Sequence, residues 1–296
     1  MQTDFFKCLF CGAPAVRPSN TRWICSECQH CYPIEQEIPL LVRDWQRHSE
    51  GLDKARSAKP DWYLTEQPAA EESSWRHHVQ KRRHYVEAAI QRYLQTRGQV
   101  RADSLLDLGC GDGNHVAYLS NYADALFASD YNLVRLIRTR ARLLQVDATF
   151  FLADILDYPA RDNFFEIIFF NHVLEHIPDD IAALRAIFRL LQPRGLLILG
   201  TPNEGAWWWQ LAYRLEPETR QNTDHVHFYT ASSLTEKLTR VGFKVYEVKY
   251  LGWGPPYWRL DARIRRYKLV DDWLECVGRR LIKSQASSLY LLATKE

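Results

Sequence analysis

The sequence predicts an α/β protein: a doubly wound, mostly parallel sheet preceded by a small metal-held module. Three observations carry this. Residues 104–131 read as a strand, a glycine-rich turn, a helix and a second strand. Downstream, apolar runs of strand length keep alternating with segments of helical period, the pattern of a parallel sheet wrapped by helices. Five of the seven cysteines fall within residues 8–31, a local cluster rather than a disulfide framework spread over the chain. A length of 296 residues holds one large α/β domain and an accessory module, and 46% hydrophobic residues suffice for a core. The net charge of +2 selects no class of partner. No run approaches the ~18 apolar residues of a membrane span, and Met1-Gln2-Thr3-Asp4 lacks the basic and apolar blocks of a signal peptide. A cytoplasmic location is therefore expected.

In chain order, the module comes first. Cys8-Leu9-Phe10-Cys11 and Cys25-Ser26-Glu27-Cys28 are two C-x-x-C knuckles separated by 13 residues, room for a short hairpin. Each knuckle sets two thiolates on one side of a turn, and two facing knuckles make a closed tetrahedral Zn2+ site. Four protein ligands leave no position for water, so the metal is expected to be structural. Cys28-Gln29-His30-Cys31 offers substitutes for the fourth ligand, and His30 and Cys31 stay open as alternatives to Cys28. The following Tyr32-Pro33-Ile34 and Ile38-Pro39-Leu40-Leu41 resemble the short zinc ribbons related to the small activator subunit of some RNA and protein methyltransferases. That resemblance implies a ribbon over residues 1–45, fused in cis, that docks substrate, braces the larger domain or meets a protein partner. Residues 46–74 carry charges, prolines and small residues without a sustained period and read as a linker or a loosely docked arm. Val79, Val86, Ala89, Ile90, Tyr93 and Leu94 then recur at helical spacing until Gly98. The other face of this helix, with Arg76, Lys81, Arg82, Arg83, Arg92 and Arg97, is either solvated or open to phosphates.

The next stretch, Leu105-Leu106-Asp107-Leu108-Gly109-Cys110-Gly111-Asp112-Gly113, has the spacing G-x-G-x-G rather than the G-x-G-x-x-G that cradles a pyrophosphate. Asp130 ends the second strand about 20 residues on, where a ribose diol is held. A nucleoside without a pyrophosphate suits this better than a dinucleotide, although a sharp strand-to-helix turn without ligand is the plainer reading. Leu105 to Gly113 resembles the first motif of the class I S-adenosylmethionine-dependent methyltransferases. Similar features recur in order at Asp130, at Ala153-Asp154, at Asn171-His172-Val173-Leu174-Glu175-His176 and at Leu191-Gln192-Pro193-Arg194-Gly195. The resemblance covers residues 75–296. It implies a Rossmann-like sheet of seven strands, the last antiparallel, with S-adenosyl-L-methionine as methyl donor. The residues it places at the cofactor are Asp107, Gly109, Cys110, Gly111, Asp130, Tyr131, Ala153, Asp154, Ile155 and Asn171. In family terms Asp154 accepts from the adenine amine, Ile155 offers its amide to the ring, and the backbone at Asn171 faces the methionine ammonium. For Asp154 a helix N-cap is the competing reading.

A helix with Val134, Ile137, Ala141 and Leu144 on its inner face leads to the strand Ala148–Leu152, and Phe164–Phe170 forms the fourth strand. The segment beyond it resembles the methyltransferases near the ubiquinone and menaquinone biosynthetic enzymes. His176 is accordingly a candidate general base, since imidazole takes a proton from a hydroxyl near neutral pH; orienting the loop or capping the next helix is its alternative. Gly195–Asn203 is the fifth strand and its exit. Trp207-Trp208-Trp209-Gln210-Leu211-Ala212-Tyr213 follows, to be read as an apolar lid, a seat for a lipid-like or aromatic acceptor, or core. In Asp224-His225-Val226-His227-Phe228-Tyr229-Thr230, His225, His227 and Tyr229 are second-choice acceptor-site residues, and zinc binding by the two histidines is not expected for want of companion ligands. Phe243–Val248 and Ser288–Ala293 close the sheet. Between them, Trp253-Gly254-Pro255-Pro256-Tyr257-Trp258 introduces a basic stretch with Arg259, Arg263, Arg265, Arg266 and Lys268, suited to nucleic acid, to peripheral contact with an anionic membrane, or to solvent.

No Asn/Asp-Pro-Pro-Tyr/Phe motif and no Pro-Cys after the fourth strand is present, which weighs against amino-methylation of adenine and against cytosine C5 chemistry. The function expected is methyl transfer to a small or lipid-like acceptor, at oxygen or carbon. The rivals are an RNA methyltransferase that docks substrate through the ribbon, and a scaffold that keeps the fold without turnover.

Overall fold

The computed structural model describes residues 2–58, 66, 72–215, 217, 225–255 and 258–296. Asp224, Pro256 and Tyr257, cited above, lie outside these residues, as does much of the second half of the expected linker. The chain forms two compact units. One comprises residues 1–67, 98–169 and 185–195, the other residues 68–97, 170–184 and 196–296.

The cysteine module is a four-stranded antiparallel sheet of β1 (Val16–Pro18), β2 (Arg22–Cys25), β3 (Cys31–Glu35) and β4 (Ile38–Pro39). The large sheet holds β5 (Ala102–Leu108), β6 (Ala123–Asp130), β7 (Thr149–Leu152), β8 (Phe165–Asn171), β9 (Leu191–Pro202), β10 (Phe243–Leu251) and β11 (Ser288–Lys295) in the order β10-β11-β9-β8-β5-β6-β7. β5, β6 and β7 pair in parallel, while β11 runs antiparallel to both β9 and β10, as expected. Strands β7 and β8 are buried almost throughout, which is why they read as continuous apolar runs rather than as alternation.

Within the first unit the module is anchored on the sheet. Phe5 is fully buried, its ring 4.7 Å from that of Phe151 and 5.1 Å from that of Phe127. Leu40 pairs in parallel with Leu152, and the Leu41 amide donates to the Leu152 carbonyl at 2.9 Å. The module thus covers the edge strand β7, whose free amides and carbonyls would otherwise face solvent. The linker reading of residues 46–74 also changes: Trp45–Ala58 is a helix, α1, followed by α2 (Arg76–Thr96). Among the described residues of α1 only His48 and Leu52 are buried, too few apolar positions to write a helical period.

The helix after Asp130, Leu133–Arg142, is capped by Asn132, whose side chain accepts from the Val134 and Arg135 amides. Its buried face is Leu133, Leu136 and Thr139 rather than the expected Val134, Ile137, Ala141 and Leu144, and Thr139 is held inside by its hydrogen bond to the Gly111 carbonyl. In the second unit, Thr230 and Ser233 form a capping box on the helix Ala231–Val241, which ends on Gly242 with φ 116°.

Of the basic stretch, Arg265 is taken into the interior while Arg263, Arg266 and Lys268 are exposed. Arg265, only 2% exposed, bonds Asp261 at 2.6 Å and Asp271 at 2.9 Å, while Lys81 of α2 reaches Asp271 and Trp75 Nε1 donates to Asp261 at 2.8 Å. Arg265 is spent inside a buried ion network that ties the helices Trp258–Arg265 and Lys268–Leu281 to α2. The two carboxylates neutralise its charge there.

Candidate functional site

In the first unit, the end of β5 turns through Gly109 (φ 75°), Gly111 (φ 55°) and Gly113 (φ 79°), a left-handed path that favours glycine. The amides of Gly109 and Cys110 donate to the Ser129 carbonyl at 2.8 and 3.0 Å. Thr139 Oγ1 donates to the Gly111 carbonyl at 2.8 Å, and a Cβ on Gly113 would lie 2.5 Å from Thr139 Cγ2, so this glycine is what lets the helix approach. Asp130 stands across the turn. Its Oδ2 accepts from the Gly111 amide at 2.8 Å and its Oδ1 from the Asn132 amide at 2.7 Å, and each oxygen keeps a second lone pair for a hydroxyl. Burial pushes the Asp130 carboxyl up against the pull of those two amides.

Asp107 lies in β5 just before this turn. It is 2% exposed, and its Oδ2 has no hydrogen-bond donor among the described residues. Burial, and then the charge of Asp130, raise its pKa to about 8. A buried carboxylate oxygen without a donor, beside a glycine turn and a diol-binding acid, fits the ammonium and ribose of an aminoacyl nucleoside. Of the other expected cofactor residues, Cys110 and Ala153 are buried and Ile155 is half-buried. Asp154 accepts from the Leu156 amide at 2.9 Å, so its capping role is present. Tyr131 is 43% exposed; its carbonyl accepts from His48 Nε2 at 2.9 Å, and the two rings lie 4.0 Å apart. Sequence reasoning missed His48, because α1 was taken for linker.

In the same unit, Cys8, Cys11, Cys25 and Cys28 place their sulfurs within 4.8 Å of one another, with Cys8–Cys28 at 3.6 Å and Cys11–Cys25 at 3.5 Å. Tetrahedral zinc with ~2.3 Å bonds sets its sulfurs about 3.8 Å apart. The four thiols form a structural zinc-binding cluster. Neither alternative belongs to it: His30 stacks on Phe10 at 3.7 Å, and Cys31 lies outside the group.

The second unit holds the exit of β8. Asn171 ends that strand half-buried, and His172 follows with φ 55°, its amide donating to the Gly200 carbonyl at 2.8 Å. Arg82 Nη1 lies 3.4 Å from His172 Nε2, and His172 Nδ1 lies 3.2 Å from Glu175 Oε1. Since arginine only donates, His172 accepts at Nε2 and donates at Nδ1. Glu175, 1% exposed, also accepts from Thr201 Oγ1 at 3.3 Å. Burial works to raise its pKa, but the His172 hydrogen bond and the nearby imidazoles outweigh it and hold Glu175 below the usual carboxylate range.

The Glu175 carbonyl accepts from the amides of Val226 at 2.8 Å and His227 at 3.2 Å, which pins the loop bearing His225. The His225 ring stands 5.0 Å from that of His176. Glu175, His176 and His225 each bring a ligand atom within 4.8 Å of the others, so the companion ligands that the sequence did not reveal for His225 are supplied by the turn after β8. His227 points elsewhere, its Nε2 donating to the Pro178 carbonyl at 3.0 Å. Tyr229 is 2% exposed with its hydroxyl donated to Asp180 at 2.7 Å; it holds the loop and is not free to reach an acceptor. From His225 a ladder of rings runs through Phe228 (6.4 Å), Tyr213 (6.2 Å) and Trp209 (5.8 Å) to Trp208 (4.3 Å). Trp208 is core, and the three rings nearer the histidine are half-buried.

A family model described as a methyltransferase domain matches residues 75–248. A Mycolicibacterium smegmatis protein named "Probable S-adenosylmethionine-dependent methyltransferase/" is 27% identical over 194 residues, 66% of this chain and 68% of its own length. The chain spans about 60% of the length of the Mycobacterium tuberculosis relatives it matches. A ubiquinone biosynthesis O-methyltransferase of Xanthomonas euvesicatoria is 26% identical over 228 residues, 73% of this chain and 89% of its own length. Among solved structures, that of MccD protein aligns with a TM-score of 0.50 at 17% identity, covering 71% of this chain and 97% of its own, a likeness of fold alone.

Proposed function

Since the chain belongs to the methyltransferase-domain family and is a class I S-adenosylmethionine-dependent methyltransferase, we propose that its acceptor is a small or lipid-like hydroxylated molecule with an aromatic or prenyl-like body, methylated at oxygen or at an adjacent carbon. The observation that carries this is the ladder of half-buried rings from Trp209 to His225, which gives an apolar body a wall and ends at imidazoles. The donor, when bound, supplies an electrophilic methyl on a sulfonium.

The residues of the chain bind and orient. Asp130 would accept from the ribose hydroxyls and Asp107 Oδ2 from the ammonium, and Asp154, Ile155 and Tyr131 would line the adenine. Proximity supplies most of the remaining rate, and a hydroxyl acceptor loses its proton at the Glu175–His176–His225 cluster. The subgroup near the ubiquinone enzymes, a boundary at residues 46–74 and a bracing role for the ribbon belong to the same reading. The similarity to the Xanthomonas enzyme supports the first, and the anchoring of the module on β7 supports the last.

The test is transfer of labelled methyl from S-adenosylmethionine to a panel of alkyl and prenyl phenols, with total RNA in a parallel arm. Label is expected in the extractable phenol. Tyr213→Ala with Phe228→Ala should raise KM about tenfold or more with kcat largely kept, because these rings hold acceptor and reacting state alike. Label entering RNA, or an unchanged KM, would overturn the assignment of acceptor.

A further inference from the structure

We propose that Arg82 of α2, with His78 one helical turn before it, binds an acidic group of the acceptor, a carboxylate or a phosphate, beside the reacting hydroxyl. This adds a substituent to the acceptor described above and rests on that reading.

Arg82 is left without a countercharge where its neighbours are paired. Lys81 meets Asp271 and Asp272, and Arg265 meets Asp261 and Asp271. Among the described residues Arg82 bonds only His172, through Nη1, and Ser288 Oγ, through Nη2. The imidazole accepts and the hydroxyl is uncharged, so neither neutralises the guanidinium. Its Nε is buried and has no partner among the described residues. Glu275 acts on it from a distance only, its own carboxylate accepting from the Gly252 amide at 3.4 Å. A guanidinium drawn from water with most of its fork unused is costly to keep unless an anion joins it.

His78 is an independent sign of the same ligand. It is 4% exposed, and neither ring nitrogen has a partner among the described residues. The ring lies against Gly252, just past β10, where a Cβ would come within 2.2 Å of its Cε1. Burial, and then the charges of Arg82, Arg265, Lys81 and His172, hold His78 well below the usual imidazole range. The ring is therefore neutral and keeps one N–H to donate. Four residues apart, His78 and Arg82 share a face of α2. Unused N–H donors beside an unneutralised cation call for an oxyanion and repel a metal ion.

This face of α2 meets the strand ends that carry the acceptor chemistry. Ser288 opens β11 opposite Pro202, the last residue of β9, and His172 leaves β8 with its Nδ1 on Glu175. An acid group on Arg82 thus stands one imidazole away from the Glu175–His176–His225 cluster. Held at its acid group and at its hydroxyl, a small acceptor keeps one orientation for transfer.

In the test, full-length zinc-loaded protein is titrated by calorimetry with three alkyl phenols matched except for one ring substituent, a carboxylate, a phosphate or a carboxamide. The wild type is expected to bind one of the two acids about tenfold or more tightly than the amide, and the tighter acid names the group. Arg82→Gln should abolish that preference while binding the amide as the wild type does. Arg82→Lys, which keeps the charge but loses the fork, should retain part of it. An Arg82 that serves only to hold His172 would weaken acid and amide alike in Arg82→Gln, and that result overturns the proposal. So does a wild type that binds the amide as tightly as both acids, a comparison that needs no variant and leaves the aromatic or prenyl-like acceptor standing. If no phenol binds but inorganic phosphate or benzoate does, and Arg82→Gln removes that binding, the oxyanion site is upheld and the acceptor reading is what fails.

Discussion

Asp107 sits at the point where burial and charge are in greatest tension. Its pKa of about 8 means that the folded, ligand-free chain keeps a proton there which the unfolded chain releases near 4. Because the folded value is raised, the contribution of this group to stability is fully present below about pH 4 and is lost as pH rises toward 8. Asp107→Asn should therefore flatten the fall in stability between pH 5 and pH 8, read from urea unfolding at the two pH values. An identical fall in the variant would mean that Asp107 does not carry the proton. A bound ammonium would lower the same pKa, so the donor should bind more tightly above neutrality than at pH 5. At this scale the sequence was most legible where chemistry is local. Gly109, Gly111 and Asp130 are joined by short-range contacts, and their spacing announced them. Glu175 lies in the segment Asn171–His176, but its meaning depends on Thr201 and on His225, which no spacing connects.

Among the elements, the cysteine module and α1 together form the structural support of β7. Phe5 on Phe127 and Phe151, Leu41 on Leu152, and His48 on Tyr131 carry the module to the strand ends where adenine residues are expected. Arg43 adds an exposed ion pair to Asp157 at 2.5 Å, which contributes little by itself. Zinc therefore holds more than its own fold. Cys11→Ser, or chelation, should lower the unfolding temperature by roughly 5–10 °C, corresponding to about 2–3 kcal/mol for a protein of this size, and should free the Leu41 amide to hydrogen exchange. An unchanged unfolding temperature with Leu41 still protected would show the module to be anchored without its metal. Helix α1 escaped the sequence reading because its inner face is one leucine and one histidine. The inner face of Leu133–Arg142 was misplaced because a threonine, hydrogen-bonded to Gly111, takes a core position that hydropathy does not assign to it.

Over the whole molecule, the alternation of strands and helices specified the sheet, and β7, β8 and β11 are buried enough to read as apolar runs. What alternation cannot carry is the fate of charge. Within the basic stretch before residue 270, the sequence does not show that Arg265 is bonded to Asp261 and Asp271, six residues or fewer away in the chain but meeting only once two helices fold on α2. The account stands or falls on the methyl donor, since the glycine turn, Asp107 and Asp130 are assigned to nothing else. The measurement that tests it most directly is calorimetric titration of the zinc-loaded protein with S-adenosylmethionine, beside Asp130→Ala. Saturable binding at one site, weakened about tenfold or more when the ribose carboxylate is removed, is the result predicted. A folded wild type that binds none, or one whose affinity is untouched by Asp130→Ala, would contradict it.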